Sequence, residues 1–130
     1  MYKMKDEYLT GIPMIDEEHG RLFEIAQSIY ELQQEEFISD KYDNLKIILE
    51  ELKEYTLTHL DHEEAYMQSI NYKRFFMQKV EHDRFRDQIE DMNFQLIDES
   101  SDEMITDVLN MITNWLVDHI FENDKLIGQP

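Results

Sequence analysis

The 130-residue chain contains no cysteine. That excludes disulfides, thiolate metal ligands and cysteine nucleophiles, and it fits a reducing compartment. Glycine and proline are scarce, at three and two residues, so turns are few and long helices are favoured. No apolar run approaches the ~20 residues that span a bilayer. The N-terminal stretch MYKMKDEYLTG lacks the apolar centre of a signal peptide. The expectation is a cytoplasmic protein without a membrane partner. Basic residues are few: 12 Lys and Arg stand against 30 Asp and Glu, a formal charge of −18. Such a surface repels nucleic acid and anionic lipid. Most of these acids are accounted for as a solvated surface, although some can be buried against cations.

What remains is a chain with enough apolar residues (42%) to form a core, expected to fold as a single domain over residues 1–130. Its apolar residues recur at helical spacing in four segments. The first spans about 16–37, with Asp16 as a plausible N-cap and a stripe of Leu22, Phe23, Ala26, Ile29 and Tyr30. The second spans about 41–68, with Leu45, Ile48, Leu49, Leu52 and Tyr55 facing inward. A short connection near Ser69–Tyr72 leads to a third segment, about 73–97, striped by Phe75, Phe85, Ile89, Met92 and Leu96. Ser100-Ser101-Asp102-Glu103 reads as a capping box for a fourth. That segment carries Ile105, Val108, Ile112 and Trp115 and ends near Gly128. Strand content is expected to be near zero. Four amphipathic helices with short connections imply an all-α, antiparallel up-down-up-down four-helix bundle; a less regular packing of the same helices is the alternative.

The stripes are interrupted, in phase, by residues of metal-binding type. His19 extends the first stripe by one turn. His59 and Glu63 continue the second, Gln78 and His82 lie within the third, and His119 with Asp124 closes the fourth. Residues four apart share a helix face, so His59 with Glu63, and Gln78 with His82, can address one centre. His119 and Asp124 are five apart, a less regular spacing, though a carboxylate near a helix end can swing into reach. A single histidine on an apolar stripe is more often a hydrogen-bonded core residue. Four helices contributing together are another matter: buried carboxylates need a partner, and a pair of divalent cations among four imidazoles supplies one.

The chain resembles the bacterial hemerythrins over essentially its whole length. The matching motifs are Gly11-Ile12-Pro13-Met14-Ile15-Asp16-Glu17-Glu18-His19, His59-Leu60-Asp61-His62-Glu63-Glu64, Glu81-His82-Asp83-Arg84-Phe85, and Trp115-Leu116-Val117-Asp118-His119-Ile120 followed by Asp124. The resemblance implies a four-helix bundle with a non-haem, carboxylate-bridged di-iron centre, with an oxo or hydroxo bridge, that binds O2. It implies that His19 and His59 hold one iron, that His82 and His119 hold the other, and that Glu63 and Asp124 bridge them. Leu60, Trp115, Leu116 and Ile120 match the walls of a dry O2 pocket, and each is equally an ordinary core residue. The family has a third histidine on the second iron where this chain has Gln78. His62 and Glu81 lie about 100° round their helices from the inner stripe and are expected at the surface or behind the ligands. Tyr8, Tyr55 and Tyr66 are candidates to hydrogen-bond near the site.

Gln78 leaves three outcomes open. Its amide oxygen can bind iron, it can hold a water or hydroxide there, or it can stay off the metal and leave a position open. An open position admits water, so faster autoxidation than in a seven-ligand site is expected. The leading expectation is an O2-binding protein for storage, delivery or sensing. The alternatives are a di-iron enzyme acting on peroxide, nitric oxide or O2, and an iron or redox sensor. No substrate pocket or proton-relay motif is legible, which ranks an enzyme lower. Manganese or zinc suits several of the same ligands. No motif fixes the oligomeric state, and a monomer is favoured.

Overall fold

Three connections, two short and polar and a longer third that carries apolar residues, fold this chain back on itself into a four-helix bundle. The computed structural model describes residues 2–36 and 38–129. Its helices are α1 (Pro13–Gln34), α2 (Lys41–Ser69), α3 (Phe75–Glu90), α4 (Asp102–His119) and a last turn, α5 (Lys125–Ile127); a π-turn (Ile120–Asp124) joins α4 to α5. Short 3-10 turns lie at Asp6–Tyr8 and Glu99–Ser101. The described residues contain no strand. The antiparallel four-helix architecture read from the stripes is the one observed.

Several boundaries differ from the sequence reading. α1 begins at Pro13, whose preset φ and missing N–H suit a first helical position. Asp16 is therefore inside the helix and is not its N-cap. Its carboxylate reaches back to accept from the Thr10 N–H and hydroxyl, both at 2.8 Å, and from the Gly11 N–H at 3.1 Å. The leader is thereby tied to the helix start, around a Gly11 whose φ of 87° disfavours any side chain. α1 ends at Gln34, short of the expected 37, and Phe37 lies outside the described residues. α3 stops at Glu90, not 97. Leu96, expected on its inner stripe, is 89% exposed, while Phe94 and Ile97 of the following loop cover the core instead. Lys53 Nζ donates to the Met92 carbonyl at 3.0 Å, which helps hold this loop against α2. The capping box is formed by Asp98 and Ser101, two residues before the position expected: the Asp98 carboxylate accepts from the Ser100 N–H and Ser101 Oγ accepts from the Asp98 N–H.

The helices bury two apolar clusters of unequal size. The larger includes Leu22, Ala26 and Ile29 of α1, Leu45, Leu49 and Leu52 of α2, Phe85 and Ile89 of α3, and Ile105, Leu109 and Ile112 of α4. The smaller joins Ile12, Ile15, Met67 and Ile127 at one end of the bundle. It is closed by Gly128, where an added Cβ would lie 2.1 Å from the Thr10 carbonyl oxygen. Between the two clusters, one turn inward from Ile15 and Met67, lies a layer of buried polar side chains.

Candidate metal centre

Seven buried side chains form that layer: His19 from α1, His59 and Glu63 from α2, Gln78 and His82 from α3, His119 from the end of α4, and Asp124 from the π-turn. These are the seven positions at which the sequence interrupts its apolar stripes. The π-turn explains the five-residue spacing of the last pair. Its hydrogen bonding runs i→i+5, as in the Lys125 N–H donated to the Ile120 carbonyl. One wider turn therefore carries Asp124 back over His119 onto the inner face, where a regular α-turn would need a spacing of four.

The two carboxylates lie between two pairs of imidazoles. Glu63 Oε2 is 3.2 Å from His59 Nε2 and 3.7 Å from His19 Nε2, while its Oε1 is 3.2 Å from His82 Nε2 and 3.6 Å from His119 Nε2. Asp124 spans the same gap: Oδ2 is 3.2 Å from His19 Nε2 and Oδ1 is 3.2 Å from His119 Nε2. Ligand-type atoms consequently fall into two clusters, each within 4.8 Å: His19, His59, Glu63 and Asp124 in one, Glu63, His82 and His119 in the other. Gln78 borders the second. Its Nε2 makes a long contact of 3.5 Å to Asp124 Oδ1, and its Oε1 has no partner.

The donor set fits a pair of cations. Six buried side-chain polar atoms lack a hydrogen-bond partner among the described residues, and all belong to His19, Glu63, Gln78 and Asp124. Orphaned buried polar atoms are costly, and their confinement to one layer marks it as built for something other than hydrogen bonding. Without cations, protons balance the charge. Burial, which lowers an imidazole pKa, is outweighed at His59 by the hydrogen bond to Glu18 and the adjacent Glu63 carboxylate, which push it up to about 9. Burial is likewise outweighed at His119 by the negative charges of the adjacent Asp124 and Glu63 carboxylates, which push it up to about 10. Burial raises the Glu63 carboxyl, but the four surrounding imidazoles hold it well below its ordinary range.

Behind the layer stands a second set of carboxylates. The Nδ1 of His59 meets Glu18 at 2.8 Å, that of His82 meets Glu64 at 2.7 Å, and that of His119 meets Glu81 at 3.2 Å. Each bond turns the imidazole so that Nε2 points inward. Glu18 is shared with His62, which is itself half exposed. Arg86 braces Glu64 and Asn123 donates to Glu81. The outer positions expected for His62 and Glu81 are those observed. Glu18, Glu64, Arg86 and Asn123 were missed by sequence reasoning. The available signal was an acid directly beside an inner residue at Glu18-His19, Glu63-Glu64 and Glu81-His82, which turns it about 100° toward a neighbouring helix.

Of the expected pocket walls, Leu60, Leu116 and Ile120 are buried in the larger cluster. Trp115 is partly buried and stacks on Phe85 and on the His119 ring, at 4.0 and 4.3 Å between centroids. The tyrosine expectation is not met: among the described residues no hydroxyl of Tyr8, Tyr55 or Tyr66 hydrogen-bonds to a site residue. Tyr8 instead stacks on Phe23 and meets the edge of Phe121.

A four-helix bundle with a buried layer of histidines and shared carboxylates defines a class, the cation-binding bundles that build their site from facing helices. Comparison with known proteins makes this specific. The hemerythrin HHE cation binding domain matches residues 10–129. The bacteriohemerythrin of Clostridium acetobutylicum is 45% identical over 125 residues, covering 96% of this chain and 97% of that protein. The bacteriohemerythrin of Pseudomonas aeruginosa is 28% identical over 92% of this chain and 74% of its own, and that of Methylococcus capsulatus 25% identical over 94% and 89%. No solved structure matches significantly. The chain belongs to the hemerythrin HHE cation-binding family, and membership implies non-haem di-iron binding. No helix among the described residues is long and apolar enough to cross a membrane.

Proposed function

We propose that this chain is a cytoplasmic, single-domain, non-haem di-iron protein that binds O2. In this assignment His19 and His59 hold one iron, His82 and His119 hold the other, and Glu63 and Asp124 bridge them. Gln78 stands beside the second iron. The observation that carries the assignment is the division of each carboxylate's two oxygens between two imidazole pairs. A structural hydrogen-bond network has no need of that division. It would satisfy the carboxylates with donors, and Glu63 has none in hydrogen-bonding geometry.

When bound, iron(II) supplies the electrons that let O2 be held reversibly. The chain's own residues do the rest. Glu63 and Asp124 fix the spacing of the two positions. Glu18, Glu64 and Glu81 fix which imidazole nitrogen faces inward. Leu60, Leu116 and Ile120 keep bulk water from the layer, and Trp115 holds the His119 ring by stacking. The names of the relatives, all bacteriohemerythrins, support the same function.

Gln78 supports a second possibility, an enzyme acting on peroxide or nitric oxide. Its free Oε1 and long contact to Asp124 leave the amide uncommitted at the second position. One experiment separates the two. The protein is loaded anaerobically with iron(II), and iron stoichiometry and the visible spectrum are measured before O2, after O2 and after its removal. Two irons per chain, and a visible charge-transfer band that appears with O2 and leaves with it, are expected. Direct conversion to a stable ferric spectrum, with turnover of peroxide or nitric oxide, would instead favour the enzyme.

A further inference from the structure

The outer carboxylates are arranged as a relay running one way round the bundle. Glu18 on α1 reaches His59 on α2, Glu64 on α2 reaches His82 on α3, and Glu81 on α3 reaches His119 on α4. The step from α4 back to α1 is not made. Asp118, beside His119, is exposed, and the Nδ1 of His19 has no partner. The two cation positions are therefore unequally backed. At the first, only His59 of the two imidazoles has a carboxylate behind it. At the second, both His82 and His119 do, and this is the position with a glutamine where the family has a third imidazole.

We propose that Glu64 and Glu81 are positioning residues that compensate for Gln78, making His82 and His119 strong enough donors to hold the second cation without a third imidazole. The inference rests on the two-iron assignment above. The physics is general: a carboxylate accepting from Nδ1–H orients the ring and raises the electron density at Nε2, and loss of such a partner typically costs 10–100-fold in metal affinity. The bracing of both carboxylates agrees with a fixed role. Glu64 is held by Arg86 Nη1 at 2.7 Å and Glu81 by Asn123 Nδ2 at 2.7 Å. Each braced carboxylate lies beside the Nδ1 of its imidazole, at His82 and at His119. Glu18 is held differently, by the half-exposed His62.

The test is iron(II) affinity at each position, measured anaerobically on the full chain by chelator competition, together with the midpoint potential of the loaded centre. Three charge-only variants are compared: Glu81→Gln, Glu64→Gln and Glu18→Gln. Glu81→Gln and Glu64→Gln are expected to weaken the second iron by about ten- to a hundredfold and leave the first nearly unchanged. Glu18→Gln should weaken only the first. Loss of the nearby negative charge should also raise the midpoint potential, a change that a purely structural role would not produce.

The compensation itself is read from a double-mutant cycle. In a Gln78→His background, Glu81→Gln should cost several-fold less than in the original chain, because a third imidazole is then present. Equal costs in both backgrounds, or unchanged affinity in all three carboxylate variants, would overturn the proposal. Glu81 is the primary position because its side chain is 37% exposed, so its substitution spares the fold even if Glu64→Gln, which strands Arg86, does not. If the unaltered chain binds no iron at all, it is the two-iron assignment that fails, and the two failures are told apart by that control.

Discussion

The two halves of the bundle are built from the same four helices and by opposite means. Around Leu45, Leu49, Ile89, Ile105 and Leu109 the interior is aliphatic, fully buried and without polar obligations. A few turns away the same helices bury two carboxylates, four imidazoles and an amide, with six of their polar atoms unpartnered. The first half gains free energy from area removed from water. The second half costs free energy until something cationic arrives. The comparison teaches where stability and function are separately lodged: the aliphatic half can hold the fold, which frees the polar half to be unsatisfied.

That division predicts that the aliphatic half is indifferent to metal. Leu49 is fully buried at the middle of the larger cluster. Leu49→Ala should destabilise the protein by about 2–5 kcal/mol through lost burial and the cavity left behind. The loss should be the same in the metal-free and the metal-loaded chain, by urea denaturation at fixed pH. A cost that differs between the two forms by more than ~1 kcal/mol, well beyond the usual error of additivity for distant sites, would mean that the halves are mechanically coupled.

The polar half should be sensitive to pH where the aliphatic half is not. In the metal-free chain, His59 and His119 are pushed up to about 9 and about 10 from the ordinary 6.5. A raised histidine contributes stability that is fully present below its unfolded pKa and is lost as pH rises through its folded value. The metal-free protein should therefore lose stability between about pH 6.5 and 9–10, opposite to the acid-side loss expected from the depressed Glu63. The loaded protein should not show the alkaline loss, because cations need the Nε2 atoms unprotonated. By the same linkage, metal binding near neutral pH releases protons, and affinity should rise with pH by about tenfold per pH unit for each proton displaced, or ~1.4 kcal/mol. Urea melts of both forms across this range, with proton release followed in a weakly buffered titration, check it. A metal-free chain equally stable at pH 7 and 9 would contradict the charge balance described for the layer.

Much of this division was legible in the sequence. The four stripes, the helix order and six of the inward polar positions follow from a 3.6-residue period, and polar interruptions of an apolar stripe are conspicuous; Asp124 was placed by its position near a helix end and by the family resemblance. Where the reading failed, the signal was of another kind. Leu96 continued the α3 stripe in register, yet the chain had already left the helix, and Phe94 and Ile97 took its place in the core. Periodicity alone cannot see a helix end that is set by loop packing. The π-turn was invisible for a related reason: a spacing of five between His119 and Asp124 is a defect on an α-helix and regular only on the wider turn. Glu18 and Glu64 were hidden among thirty acids, most of them solvated, and only the contact between helices sets them apart.

The smallest expected effect bears on Gln78, the amide among the imidazoles and carboxylates of that layer. Gln78 is 1% exposed, contacts Asp124 only at 3.5 Å and leaves its Oε1 free. Its reach is close to that of histidine, so Gln78→His is a near-isosteric change at that position. If the amide leaves the second position open to water, an imidazole there should close it. Autoxidation of the O2-treated, iron-loaded protein should then slow by about tenfold, equivalent to ~1.4 kcal/mol in the barrier. The decay of the visible band after O2 exposure measures this directly in both proteins. An unchanged rate would mean that the amide oxygen already serves the position as well as an imidazole does. The asymmetry of the two positions would then lie in their outer carboxylates alone.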